Sequence, residues 1–479
     1  MTNIERAAEV IARVRGLGVT DFCVCAGSRN APLLAVLAAS DVRLWSFVDE
    51  RSAAFFALGR AKLLGRPAAV VTTSGTAAAE PLPAAIEAHY SGVPLVLITA
   101  DRPARYRGTG APQAIEQEGI FGVYASTEVG QWPLHINIEF DEPLLECGGK
   151  AAAFVAMSVQ GRDQKAAAMP PHSKPVVILG GLAENDRERV ARFVKRLQAP
   201  VYAEPLSGLR EHLPGLAITA GERMLSRGDF DQVIRIGNVP TLRFWRDLDE
   251  KRRDLRVINI SALPFTGLSR GEVLPMSALD ADVEPKPASK EYFGDDREKA
   301  QRIAEILDRE PESELAMVRA LSRELADGTR VYLGNSLPIR EWDLVATREK
   351  SFVYEANRGA NGIDGQLSTF FGQCDAARAN VCVVGDLTAI YDMNAPWIVP
   401  QLDADFRIVI INNGGGRIFS RVASLAPLDA AVRDRIVENA HALRFDKWAE
   451  MWGLAGRLTE LRPSPDASRR AWEKYDALW

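Results

Sequence analysis

The sequence is short of the residues that would announce several common chemistries. Its five cysteines, Cys23, Cys25, Cys147, Cys374 and Cys382, make neither a CxxC pair nor a paired framework. That pattern excludes a disulfide scaffold and fits a reducing, cytoplasmic setting. Five histidines, His89, His135, His172, His212 and His441, are scattered, so no clustered imidazole ligand set or His-based nucleophile pattern can be assembled. No apolar run is long enough to cross a bilayer, and Met1–Arg6 lead into an amphipathic helix pattern without a signal region. A strong charge of one sign is missing too. Lys and Arg number 58 against 63 Asp and Glu, a formal net charge of −5. Neither nucleic acid nor an anionic membrane is attracted globally, and an anionic ligand has to be met by local arginines.

Apolar material is plentiful: 479 residues at 47% hydrophobic content are expected to form two or three domains. Up to about Glu146, β-rich runs (Asp21–Ala26, Arg43–Val48, Ala68–Thr72, Pro94–Thr99, His135–Phe140) alternate with helical patterns, the signature of a parallel sheet. Residues 151–174 are rich in Ala, Gln, Pro and Ser and read as a linker or a loosely packed helix. A second α/β series follows: Val176–Leu179, a helix over Glu184–Gln198, then strands Val233–Ile236 and Arg256–Ile260. Gly180-Gly181 lacks the GxGxxG spacing and reads as a strand-to-helix turn, not a dinucleotide loop. Leu279–Asp296 separates this unit from a third series resuming near Arg297. The expected class is α/β with three Rossmann-like domains and parallel central sheets, over 1–150, 172–280 and 297–479.

The clearest chemical signal lies in the third unit. The apolar run Val381–Val384 ends in Gly385-Asp386-Leu387, and Arg407–Ile411 ends in Asn412-Asn413-Gly414-Gly415-Gly416. A carboxylate at the carboxyl edge of a parallel sheet lies where such folds bind ligands. Mg²⁺ wants about six oxygens, often including phosphate. Asp386, the Asn413 amide oxygen and the Gly415 carbonyl can supply three. Alone, the glycine-rich turn would read as a strand end; with Gly-Asp one helical crossover earlier it resembles the thiamine-diphosphate motif.

In the first unit, Glu50 follows Arg43–Val48, where thiamine chemistry needs a carboxylate beside the aminopyrimidine N1′. Poor solvation there would raise its pKa and suit proton exchange. Without that context it reads as an ordinary acid at a helix N-terminus.

Cys25–Leu33, Asp49–Ala53, Thr73–Ala77, Thr99–Pro103, Gln113–Ile115, Gly334–Arg340, Asn357–Gly365 and Ile418-Phe419 together resemble the 2-succinyl-5-enolpyruvyl-6-hydroxy-3-cyclohexene-1-carboxylate synthase family of menaquinone biosynthesis. The resemblance implies decarboxylation of 2-oxoglutarate on thiamine diphosphate with Mg²⁺, Mn²⁺ being an alternative, and addition of the succinyl carbanion to isochorismate. It implies pyrimidine-binding and diphosphate-binding first and third domains. It also implies a homo-oligomer, dimer or tetramer, because the cofactor bridges the first domain of one subunit and the third of another.

By resemblance Glu50 is catalytic. Gly385, Asp386, Leu387, Asn413, Gly415, Ile363, Ile418 and Phe419 meet the cofactor, with Asp386, Asn413 and Gly415 on the metal. Ser336 and Arg340 hold the distal carboxylate of 2-oxoglutarate, and Ser28, Arg29, Arg102 and Gln113 meet isochorismate. Arg358 and Arg243 complete the substrate arginines, although Leu242 stands where a second basic residue can occur. Two dianionic substrates suit planar guanidinium forks. Two other readings stay open: another thiamine-diphosphate decarboxylase or carboligase, and a non-catalytic member of the fold.

The sequence departs from the family pattern in four places. It is short between Gly122 and His135. Pro112 and Gly414 replace asparagines. It also stops at Trp479, soon after a helix expected over Ala467–Leu478, so either an edge strand of the third sheet is expected to be absent or the sequence to be incomplete.

Overall fold

The structure, a computed structural model, describes residues 1–145 and 174–479. The linker expected over 151–174 lies almost wholly outside the described residues, as do Cys147 and His172.

Three five-stranded sheets, every pairing parallel, organise the chain. The first is built from β1 (Asp21–Cys25), β2 (Arg43–Phe47), β3 (Ala68–Thr72), β4 (Leu95–Asp101) and β5 (Leu134–Glu139), ordered β2-β1-β3-β4-β5. The second holds β6 (Pro175–Leu179), β7 (Val201–Ala203), β8 (Gln232–Ile236), β9 (Arg256–Ile260) and β10 (Val273–Leu274), ordered β10-β9-β8-β6-β7. The third holds β11 (Arg330–Leu333), β12 (Val353–Glu355), β13 (Asn380–Gly385), β14 (Phe406–Ile411) and β15 (Leu458–Leu461), ordered β12-β11-β13-β14-β15. The strand order reverses beside β1, β6 and β11, and the crevice outside the strand ends at such a point is where α/β sheets hold ligands.

Among the described residues no strand follows the C-terminal helix, and the third sheet takes its fifth strand from ahead of that helix: β15 pairs with β14 from Ile408↔Leu458 to Ile411↔Leu461. It was illegible because all four residues are half-buried, without alternation. The C-terminal helix runs Pro465–Asp476. The third series also starts earlier than expected. A helix spans Lys290–Arg309, its Ser289 cap accepting from Tyr292 N–H at 3.1 Å. Its buried Asp296 accepts from the backbone N–H groups of Thr219 and Ala220, which ties the helix to the second unit. Between Gly122 and β5 there is only a short 3₁₀ turn, Gly122–Tyr124. Gly180 is the predicted turn: a Cβ there would lie 2.1 Å from the Asn238 carbonyl oxygen.

One core cluster joins the first and third sheets. At its centre the helix Glu50–Leu64, with Ala53–Leu58 fully buried, packs on the helix Gln366–Gln373. The two backbones almost touch. A Cβ on Gly59 would stand 2.2 Å from the Thr369 carbonyl oxygen, and one on Gly372 would stand 2.2 Å from that of Phe56. Lys62 donates to Ala356 O and Asn357 Oδ1, each at 2.9 Å, and Glu87 accepts from Gly359 and Ala360 N–H, fastening the Asn357–Gly362 loop to the first unit. A second cluster, around Trp245 and Trp342, joins the middle and third sheets.

Candidate active site

Asp386 opens the short helix Asp386–Tyr391 directly after β13, and the Gly385↔Ile411 pairing sets it beside the turn after β14. It is 2% exposed. One carboxylate oxygen accepts from Leu387 N–H at 2.7 Å. The other accepts from Gly414 and Gly415 N–H at 2.8 and 3.0 Å and lies 3.4 Å from His441 Nε2. Burial raises the Asp386 pKa against these lowering contacts. A carboxylate offers about four lone-pair sites, so capacity toward a cation remains.

Asn413 donates through Nδ2 to both carboxylate oxygens of Glu314 at 3.0 Å, which leaves its Oδ1 buried without a hydrogen-bond partner. An orphaned buried polar atom costs about 1–3 kcal/mol, a cost that a cation placed against it removes. Gly415 has φ 135°, and a Cβ there would meet the Glu438 carbonyl at 2.6 Å, so only glycine shapes this cradle. One carboxylate, one amide oxygen and a free-turning backbone form a hard-oxygen donor set that suits Mg²⁺ or Mn²⁺. Among the described residues no group of three or more His, Cys, Asp or Glu could hold a metal instead.

A cavity of about 910 Å³ opens between the middle and third sheets, and Arg243, Arg340, Arg358 and Ile418 line it. Arg340 donates to the Thr241 carbonyl at 2.9 Å. Arg358 donates to Asn335 Oδ1 at 2.6 Å, and its second terminal nitrogen is buried without a partner; burial lowers its pKa to about 10. Ser336, at φ 74°, precedes the helix Leu337–Val345 without a side-chain capping bond, and the first turns of that helix line the same cavity. Arg243 is exposed at the rim and pairs with Asp247 on its own helix at 3.0 Å. Ile363 is half-buried and Phe419 is 37% exposed.

The sequence did not point to the acids of this cavity. Glu204, Glu222, Glu341 and Asp343 line it, and Asp343 accepts from Tyr202 OH at 2.5 Å. They belong to no motif; the available hint is an acid set among apolar residues, as Glu204 is between Ala203 and Pro205. Glu204 Oε1 accepts from Thr241 N–H and Oγ1 at 3.1 and 3.3 Å, while burial pushes the group up to about 7. Between roughly pH 4.5 and 7 the native protein then holds a proton that the unfolded chain has released, so stability falls as pH rises through that window. Glu204→Gln keeps the acceptor oxygen and removes the charge. It is expected to flatten this dependence and to raise stability at pH 8 by about 1–3 kcal/mol, read from thermal melting of the cofactor-free protein.

The residues expected in the first unit lie apart from that cavity, and none of Ser28, Arg29, Glu50, Arg102 or Gln113 lines it within one chain. Glu50 begins the helix Glu50–Leu64, whose Asp49 cap accepts from Ser52 N–H at 3.0 Å and from Asn394 Nδ2. It is half-buried, and desolvation raises its pKa ahead of the lowering contact with its own backbone N–H. Ser28 and Gln113 are exposed. Gln113 has φ 58°, and Gly75 leaves it room, since a Cβ there would lie 3.0 Å from the Gln113 Cα. Arg29 is 8% exposed, donating to the Phe140 carbonyl at 2.9 Å and pairing with Glu142 at 3.3 Å. Arg102 stacks over Tyr106.

Parallel sheets carrying an oxygen-donor loop in the third unit and a half-buried glutamate in the first define the class of thiamine-diphosphate enzymes. Residues 5–120 match the thiamine pyrophosphate enzyme N-terminal TPP binding domain. The chain is 40% identical over 537 residues to the 2-succinyl-5-enolpyruvyl-6-hydroxy-3-cyclohexene-1-carboxylate synthase of Bdellovibrio bacteriovorus, covering 100% of both chains. It is 39% identical to the same-named enzyme of Akkermansia muciniphila (94% of this chain, 90% of that one) and 33% identical to that of Bacillus velezensis (84% and 81%). The chain belongs to the 2-succinyl-5-enolpyruvyl-6-hydroxy-3-cyclohexene-1-carboxylate synthase family of menaquinone biosynthesis, transferases that depend on thiamine diphosphate.

Proposed function

We propose that this chain converts 2-oxoglutarate and isochorismate into 2-succinyl-5-enolpyruvyl-6-hydroxy-3-cyclohexene-1-carboxylate and CO₂. The observation that carries the reading is the 910 Å³ cavity, where Arg340 and the partly unpaired Arg358 face a space large enough for dicarboxylates. Bound thiamine diphosphate supplies the carbanion chemistry that releases CO₂ from a 2-oxo acid. Asp386, Asn413 and the Gly415 carbonyl hold the metal, Mg²⁺ or Mn²⁺, with Gly385 and Leu387 beside the diphosphate. Glu50 holds and moves the proton at the pyrimidine N1′, the task its raised pKa suits. Ile363, Ile418 and Phe419 pack the cofactor and exclude water.

Ser336, Arg340 and Arg358 hold the carboxylates of 2-oxoglutarate, and Arg243 reaches them once released from Asp247. Ser28, Arg29, Arg102 and Gln113 orient isochorismate. Arg29 has to leave the Phe140 carbonyl for this, and its exposed partner Glu142 is weakly competitive. None of the second set lines the cavity that holds Arg243, Arg340 and Arg358, which supports a homo-oligomer, dimer or tetramer, in which subunits complete each other's site. The units 1–150, 172–280 and 297–479 would serve as pyrimidine-binding, central and diphosphate-binding domains. Among the described residues no helix is long and apolar enough to cross a membrane, and the buried unpaired thiols suit the cytoplasm.

The test is direct. Purified protein with thiamine diphosphate and Mg²⁺ is expected to release CO₂ from 2-oxoglutarate and to consume isochorismate in equal amount. Turnover of pyruvate with no consumption of this substrate pair would overturn the proposal.

A further inference from the structure

We infer that Glu314 is a positioning residue that fixes which way the Asn413 side chain faces, and so presents Oδ1 to the metal. The inference rests on the reading of Asp386, Asn413 and Gly415 as the metal's oxygen donors. The two ends of an asparagine amide are nearly equal in size and opposite in hydrogen-bonding role, so its orientation is set by the partners around it. On one side stands the Glu314 carboxylate, an acceptor on both oxygens, each 3.0 Å from Asn413 Nδ2. On the other side Oδ1 is buried with no donor. Turning the amide over would press its oxygen against a carboxylate and strand the N–H₂ group. One orientation is therefore selected before any cation arrives, and it leaves a lone carbonyl oxygen on the metal side.

Glu314 is itself held firmly. It is the first residue of the helix Glu314–Glu324, whose Ser313 cap accepts from Ala316 N–H at 3.2 Å. Its own N–H donates to Ser468 Oγ at 3.0 Å, so the C-terminal helix Pro465–Asp476 anchors the same point. It is 5% exposed, and behind it the fully buried Glu341 meets it side chain to side chain.

The experiment titrates Mn²⁺ in the presence of thiamine diphosphate, reading free Mn²⁺ by electron paramagnetic resonance, with the melting temperature of metal-free protein followed in parallel. Glu314→Ala is expected to weaken Mn²⁺ binding roughly 10–100-fold, with the metal-free fold intact. Glu314→Gln retains an acceptor oxygen and is expected to lie between parent and Glu314→Ala. Asn413→Asp sets two carboxylates face to face and is expected to bind Mn²⁺ poorly. Combined with Glu314→Gln, whose amide can donate to the new carboxylate, it is expected to regain affinity, which a merely structural role would not produce. Parent-like affinity in Glu314→Ala would overturn the inference. Should that variant fail to fold, equal affinity of Asn413→Asp with and without Glu314→Gln overturns it as well. Parent protein that takes up no Mn²⁺ with the cofactor would overturn the metal reading of the loop itself, a result distinct from either.

Discussion

Glu50→Gln is expected to bind thiamine diphosphate and metal as the parent does while losing roughly 10³-fold or more in turnover, within or beyond the usual range for a positioned acid–base group. The change preserves size and hydrogen-bonding reach, so the Asp49 cap and the buried Ala53–Leu58 face of the helix stay as they are. What disappears is the ionisable proton. Partial burial raises the Glu50 pKa, so the carboxyl keeps its proton to higher pH than an exposed glutamate, the direction that suits exchange with a ring nitrogen. The check is kcat set beside cofactor affinity: a loss in kcat with unchanged affinity supports the role, and unchanged kcat removes Glu50 from the mechanism.

Asp386→Ala is expected to abolish metal-dependent cofactor binding, a larger effect than the roughly 10–100-fold typical of changes outside the donor set. The carboxylate is the proposed donor to the cation and is the acceptor for Gly414 and Gly415 N–H, so its removal is expected to strip the charge and loosen the turn that carries the other two proposed donors. A ligand that binds only the native state raises stability with its concentration. Addition of thiamine diphosphate and Mg²⁺ should therefore raise the melting temperature of the parent and leave that of Asp386→Ala where it was. An equal rise in both would remove Asp386 from the metal site.

Much of the fold could be read from the chain because a parallel strand covered on both faces is a continuous apolar run. β3, β4 and β6 are buried at every position, and β13 and β14 nearly so; all of these stood out. The short edge strands β10 and β12 carried too few residues to register, and half-buried β15 had no pattern. The start of the helix Lys290–Arg309 was masked by the prolines and lysines before Ser289, although the cap and the buried Asp296 decide it.

The site divides along the same line. Asp386, Asn413 and Gly415 stand out as candidates because a strand end, a sharp turn and an oxygen-bearing side chain coincide there in the sequence. Glu314, Glu204 and Asp343 were not, because their significance comes from burial beside residues distant in sequence, which no local spacing records. Arg29 and Arg243 were legible as charges, but their present partners, the Phe140 carbonyl and Asp247, were not.

The crossing of Gly59 and Gly372 ties Glu50, the proposed proton carrier, to a point nine residues along the same helix. Glu50 and Gly59 belong to one stiff rod, about 13 Å apart at 1.5 Å per residue. A methyl group at either glycine would act as a wedge between two backbones that leave no slack. The rod would have to slide or tilt, and its free end would swing with it. The usual tactic of stiffening a helix by replacing glycine with alanine therefore fails at this pivot, where the smallest side chain sets the aim of the glutamate.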